Sequence, residues 1–178
     1  MFQEDLKMQP RTTILSAVTF SAAMFFGTAA MATDLPKEGT YNVTYSSFGT
    51  LKSTPVGKQV ALFAWDENGL SVGNGLLDHL TWHCWGLFNV MNGINQTTSG
   101  YCVATDPNGD QLAASVAGDK WPQGTKSFTA LQTWITGTGK YAGISGNNKL
   151  ECHPGDFRPA AEGTYHLYCT FQGGYKLP

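Results

Sequence analysis

The sequence predicts an all-β protein: a single antiparallel eight-stranded barrel behind an N-terminal export signal. Three observations carry that expectation. Glycine and proline are abundant, 21 and 8 residues in a chain of 178, too many for a helical bundle. Turn dipeptides recur at short intervals, at Asn68-Gly69, Asn74-Gly75, Asn92-Gly93, Asn108-Gly109 and Gly173-Gly174, with Asp106-Pro107-Asn108-Gly109 the strongest. Between them run short segments rich in Thr, Val, Tyr, Phe and Trp, the composition of strands.

The strands follow the turns. They are expected at 39–49, at 58–66 and 69–75 on either side of Asn68-Gly69, and at 79–90 leading into Asn92-Gly93. Two more, 97–106 and 110–118, flank Asp106-Pro107-Asn108-Gly109. The last three are 126–137, 145–153 and 162–172. Residues 76–88 also fit a helical period through Leu76, Leu80, His83 or Cys84, and Leu87, but Trp82, Trp85 and Phe88 favour a pleated surface. So many short antiparallel strands are best closed into a barrel, which leaves no exposed edge; a β-sandwich is the alternative.

Composition bounds the partners. Eleven Lys and Arg against thirteen Asp and Glu give a formal charge of -2 with no run of either sign, which excludes a phosphate-neutralising surface and hence nucleic acid. Hydrophobic residues at 42% and aromatics at 12% suffice for a core. At the N-terminus Lys7 and Arg11 precede an apolar stretch from Ile14 to Phe26, and the small-residue triplet Ala30-Met31-Ala32 follows. This reads as a signal peptide over 1–32 with cleavage after Ala32, and with Met8 as the better start. A membrane anchor needs about 20 strongly apolar residues, and Ser16, Thr19, Ser21, Gly27 and Thr28 interrupt this one. Residues 33–178 are therefore expected to be one periplasmic or secreted domain, not stably inserted in a membrane.

Export decides how the cysteines are read, since Cys84, Cys102, Cys152 and Cys169 all lie in that domain and would meet an oxidising compartment. Three connectivities are open. The pairs 84 with 102 and 152 with 169 are favoured because each brackets a turn-rich segment. No CxxC occurs, so neither zinc nor another metal is expected. His79-x-x-x-His83 could share an ion on a helix, but four strand residues span about 13 Å.

The segment Gly137-Thr138-Gly139-Lys140-Tyr141-Ala142-Gly143-Ile144-Ser145-Gly146 resembles the glycine-rich turn after a long strand in the allene oxide cyclase barrel-like superfamily, to which dirigent proteins belong. The resemblance implies an eight-stranded barrel with a central cavity for a small apolar or aromatic molecule. It also implies chemistry without a cofactor, cyclisation or the steering of reactive intermediates. No catalytic residues carry over from it.

Strand parity sorts the remaining candidates, because side chains alternate between faces. If both disulfides share one barrel face, that face also carries Leu80, Trp82, Phe88, Leu150, Tyr165 and Leu167. The opposite face carries His79, His83, His153 and His166 with Glu151, Tyr101 and Tyr168. Either the cysteine face is the packed interior, or the histidine face turns inward and supplies acids and bases. In the second case the catalytic candidates are His79, His83, Glu151 and His166. The aromatics Trp65, Trp82, Trp85, Tyr101, Trp134 and Tyr168 are the candidate ligand-binding residues. The phosphate-cradling GxxxxGK[ST] and HExxH are both missing, and no cofactor is expected. The functional expectation is an exported barrel that binds a small hydrophobic or aromatic molecule, as a cofactor-free isomerase, cyclase or lyase. The alternative is a non-catalytic periplasmic carrier or envelope protein.

Overall fold

The computed structural model of the chain describes residues 35–155 and 163–178; the export signal expected over 1–32 lies outside them. The described residues form strands β1 (Glu38–Val56), β2 (Val60–Asn74), β3 (Leu80–Met91), β4 (Ile94–Thr105), β5 (Gln111–Gly118), β6 (Trp121–Pro122), β7 (Phe128–Gly137), β8 (Asn147–Pro154) and β9 (Thr164–Lys176). Every strand pairs antiparallel with its chain neighbour, except that β6 is a short addition beside β4 and β5 pairs directly with β7. Pairing of β1 with β9 and of β3 with β4 completes the ring. The result is a closed eight-stranded up-and-down barrel with one extra strand, as expected.

Two of the expected turns are strand. Residues 58–66 and 69–75 are not separate, for β2 runs straight through Asn68-Gly69, and Gly173-Gly174 lies inside β9. The cause is close approach. Gly69 faces the interior beneath the Tyr45 ring, where a Cβ would lie 2.4 Å from Tyr45 Cε2, and a Cβ on Gly173 would lie 2.4 Å from that of Asn148. Glycine here makes room for a bulky neighbour on the next strand. Asn92-Gly93 is a genuine hairpin turn, with φ of 52° and 73°, the positive pair that matches strand twist. Residues 76–79 are neither helix nor strand but a turn that folds Leu76 and Leu77 into the core.

Both expected disulfides are present, Cys84–Cys102 and Cys152–Cys169, each between residues directly opposite in register. All four cysteines are buried, so the cysteine face is the inside of the barrel. The two ends of the barrel differ. At one end Leu76, Leu77, Tyr141, Ile144 and Tyr175 fill the interior together with Tyr41 and Trp134. Tyr141 and Ile144 come from the glycine-rich 137–146 turn, held down by Lys140, whose Nζ lies 2.5 Å from Oδ2 of the buried Asp106. At the other end the inward-facing Leu51, Phe128 and Pro154 are only partly covered, and among the described residues the interior opens.

Candidate functional site

Between the plugged end and the open end lies a cavity of about 120 Å³. Its lining is mostly apolar or aromatic, including Phe88, Trp121, Phe128, Leu150 and Phe171, with Cys84, Cys102 and Cys169 of the two disulfides. An engineered cavity of about 150 Å³ accepts benzene, so this space suits a molecule of one small ring. No Lys, Arg or His lines it among the described residues.

The carboxyl of Glu67 is set into this wall. Its residue is only 6% exposed and receives three hydroxyl donors. Tyr45 Oη donates to Oε1 at 3.0 Å, while Ser47 Oγ and Tyr165 Oη donate to Oε2 at 3.0 and 2.9 Å. The register explains the convergence. Gly49 of β1 pairs with Glu67 on one side and with Tyr165 on the other, and Tyr45 and Ser47 precede it on the same face of β1. A Cβ at Gly49 would lie 2.5 Å from the Tyr165 ring, so only glycine lets that ring cross β1. Trp65, one inward step from Glu67 on β2, lies over a glycine pair in the same way, its Cζ2 2.6 Å and 2.5 Å from where Cβ atoms of Gly86 and Gly100 would be.

Burial pushes the Glu67 carboxyl above its ordinary range; the hydroxyls of Tyr165, Ser47 and Tyr45 pull it back in part, and neighbouring Asp66 adds to the rise. Burial and then the Glu67 charge likewise push the hydroxyls of Tyr45 and Tyr165 far up, which keeps both protonated as donors. A carboxyl in an apolar wall, with no cationic partner among the described residues, is suited to carrying a proton that it can deliver to a bound molecule. Two further polar groups line the same space. Gln132 is fully buried, and its Oε1 accepts Asn148 Nδ2 at 3.0 Å while its own Nε2 has no partner; Trp65 Nε1 is buried without one.

The residues singled out from sequence distribute differently. Trp65 lines the cavity. Trp82 and Trp134 are buried inside the barrel in its filled half, stacked with centroids 6.5 Å apart. Trp85, Tyr101 and Tyr168 stand on the outer wall, at 38%, 54% and 46% exposure. The four acid-base candidates are outside as well, which corrects the inward-histidine alternative. His79 lies not in a strand but in the turn before β3, with φ of 56° and Nδ1 2.8 Å from Asp78 Oδ1. His83 Nε2 contacts Asp66 Oδ2 at 3.1 Å, and Glu151 contacts His153 at 3.8 Å. His166 Nε2 contacts Ser46 Oγ at 3.1 Å and stacks on Phe48. The physical reason for His83, Glu151 and His166 is parity: with the disulfides inside, these strand positions face outward. His79 is outside because it lies in an exposed turn. Among the described residues no group of three His, Cys, Asp or Glu could hold a metal ion.

Glu67 itself is missed from sequence because Asn68-Gly69 reads as a turn and leaves Glu67 at its edge. The signal that could have found it is the continuation of parity along one unbroken strand, which places Glu67 on the same face as Trp65, Gly69 and Ser71.

No protein-family model matches the chain, and no curated protein matches it. Among solved structures, a pterocarpan synthase dirigent protein overlaps 88% of this chain and 100% of its own, with a TM-score of 0.49 and 10% identical residues.

Proposed function

We propose that the barrel takes up one small, largely apolar or aromatic molecule in its cavity and acts on it by proton transfer at Glu67, without a cofactor. The observation that supports this best is the pairing of an apolar cavity with a buried carboxyl, Glu67, that has no cationic partner among the described residues. A purely structural interior would be better served by an apolar residue at that place, since burying a carboxyl is costly. The resemblance of the 137–146 turn to the allene oxide cyclase barrel-like superfamily points the same way. The rival reading, a carrier, keeps the cavity and gives Glu67 the lesser task of orienting its cargo.

We also propose that the protein works outside the cytoplasm after removal of residues 1–32. Two disulfides support this, and N-terminal sequencing of the mature protein tests it. For the cavity, native mass spectrometry of protein taken from its own envelope fraction should reveal a co-purifying small molecule. Ethylbenzene titrated into the stripped protein should shift amide resonances around Val116, Ala130 and Leu150. Filling the space with Ala130→Leu should weaken that binding at least about tenfold. Unchanged binding in the filled variant would place the probe elsewhere and reject the cavity. Carrier and enzyme part at Glu67→Gln, which in an enzyme lowers turnover by about 10²- to 10⁴-fold with binding retained.

A further inference from the structure

Trp65 and Gln132 line one cavity, and each carries a buried donor, Trp65 Nε1 and Gln132 Nε2, without an acceptor among the described residues. Buried donors are nearly always paired, and an orphan calls for an explanation. The cavity wall does not supply one. The hydroxyls that reach Glu67 are those of Tyr45, Ser47 and Tyr165, and neither orphan donor bonds it, while the Gln132 carbonyl is taken by Asn148. Leucine at 132 and an apolar aromatic at 65 would line the same wall without any unmet donor.

From this we infer that the ligand of the cavity carries an uncharged oxygen acceptor, a carbonyl or ether oxygen, that receives the Gln132 amide and the Trp65 indole while its apolar body lies against the aromatic wall. The inference rests on the cavity reading above and sharpens it. The lining argues for the charge state. An anion would find no cationic side chain among the described lining residues and would face the Glu67 carboxyl. A cation could pair with Glu67 but would leave both donors unmet. An uncharged acceptor satisfies both donors and repels nothing.

Four probes of nearly equal shape test it on the mature protein with both disulfides intact: acetophenone, isopropylbenzene, 1-phenylethylamine and benzoate. Binding is followed by calorimetry and by amide shifts. Acetophenone should bind about tenfold or more tighter than isopropylbenzene, and tighter than either charged probe. Trp65→Phe, which keeps an aromatic ring of smaller size and removes the N–H, should narrow the ratio of the acetophenone to the isopropylbenzene affinity. Gln132→Met is the independent second variant, with its melting temperature as the check on folding. Equal affinity for acetophenone and isopropylbenzene means that solvent serves the two donors and overturns the inference with the cavity reading intact. Preference for the amine or for benzoate overturns it in favour of a charged ligand. If none of the four binds, the cavity reading falls too.

Discussion

Tyr165 reaches Glu67 across a strand that lies between them: its hydroxyl donates to Oε2 at 2.9 Å over the bare backbone of Gly49. The side chain that is missing at position 49 is what assembles the carboxyl site. Gly49→Ala puts a methyl group into the Tyr165 ring and within 2.7 Å of the Asp66 carbonyl. It should cost about 1–3 kcal/mol by overpacking and separate Tyr165 from Glu67. Tyr165→Phe removes only the donor and should raise the Glu67 pKa further, read from its side-chain carbon shift against pH. An unchanged titration in Tyr165→Phe would mean that this hydroxyl does not hold the carboxylate form.

The raised pKa of Glu67 has a sign that stability must follow. The folded state holds this proton more tightly than the unfolded chain. The contribution is therefore fully present below the ordinary glutamate range and is lost as pH rises through the folded pKa. One proton changes stability by at most about 1.4 kcal/mol per pH unit within that window. Glu67→Gln should flatten the decline, so that urea midpoints for the variant gain on those of the native protein as pH increases. A variant whose curve runs parallel to the native one would deny Glu67 this role.

At the plugged end the sign is opposite. Burial alone would raise Asp106, but Lys140 and the backbone N–H groups of Asn108 and Asp110 outweigh it and hold the carboxyl below its ordinary value. Its contribution is present above the unfolded aspartate range and is lost as pH falls through the lowered pKa. Lys140→Met leaves Asp106 its two backbone donors but no cation. Because Lys140 is a third exposed, the loss should be about 1–3 kcal/mol, measured by urea denaturation near neutral pH.

Each disulfide closes a short loop, with sequence separations of 18 and 17. Chain entropy gives roughly 3 kcal/mol for such a loop. Cys84→Ala with Cys102→Ala should cost about that much in denaturant, and because both sulfurs face the cavity it should also change probe affinity. Loss of stability with affinity unchanged would show that the cavity wall closes over the missing bridge.

The outer position of the histidines makes a prediction by contrast. His83→Gln and His166→Gln should leave acetophenone affinity within about twofold, since their partners are Asp66 and Ser46 on the outer wall. A tenfold loss in either would connect the outer wall to the interior and demand a different site.

How far the sequence was legible depends on what kind of signal each residue sends. The ring of strands, the two cysteine pairs and the buried face were readable because turn chemistry and strand alternation are local and periodic. Trp65 came through as an aromatic in a strand. Glu67, Tyr165 and Gly49 did not emerge as a unit, for their meeting depends on register across three strands and on a glycine whose meaning is the ring that covers it. Asn68-Gly69 shows the difficulty: the same dipeptide marks a hairpin or a seat for Tyr45, and only the neighbouring strand decides. The histidines misled in the other direction, since four titratable rings on one face draw chemical interest whichever way that face points.

The bridge between Cys152 and Cys169 spans the connection from β8 to β9, and it also determines what a peptide-bond break in that connection can do. A single cut in the connection itself, between residues 154 and 164, yields two fragments still tied at their bases, held in register on β1 and β7 by unbroken ladders. Such a nicked molecule would migrate as one species until a reductant reached the sulfurs buried in the barrel wall, and only then come apart.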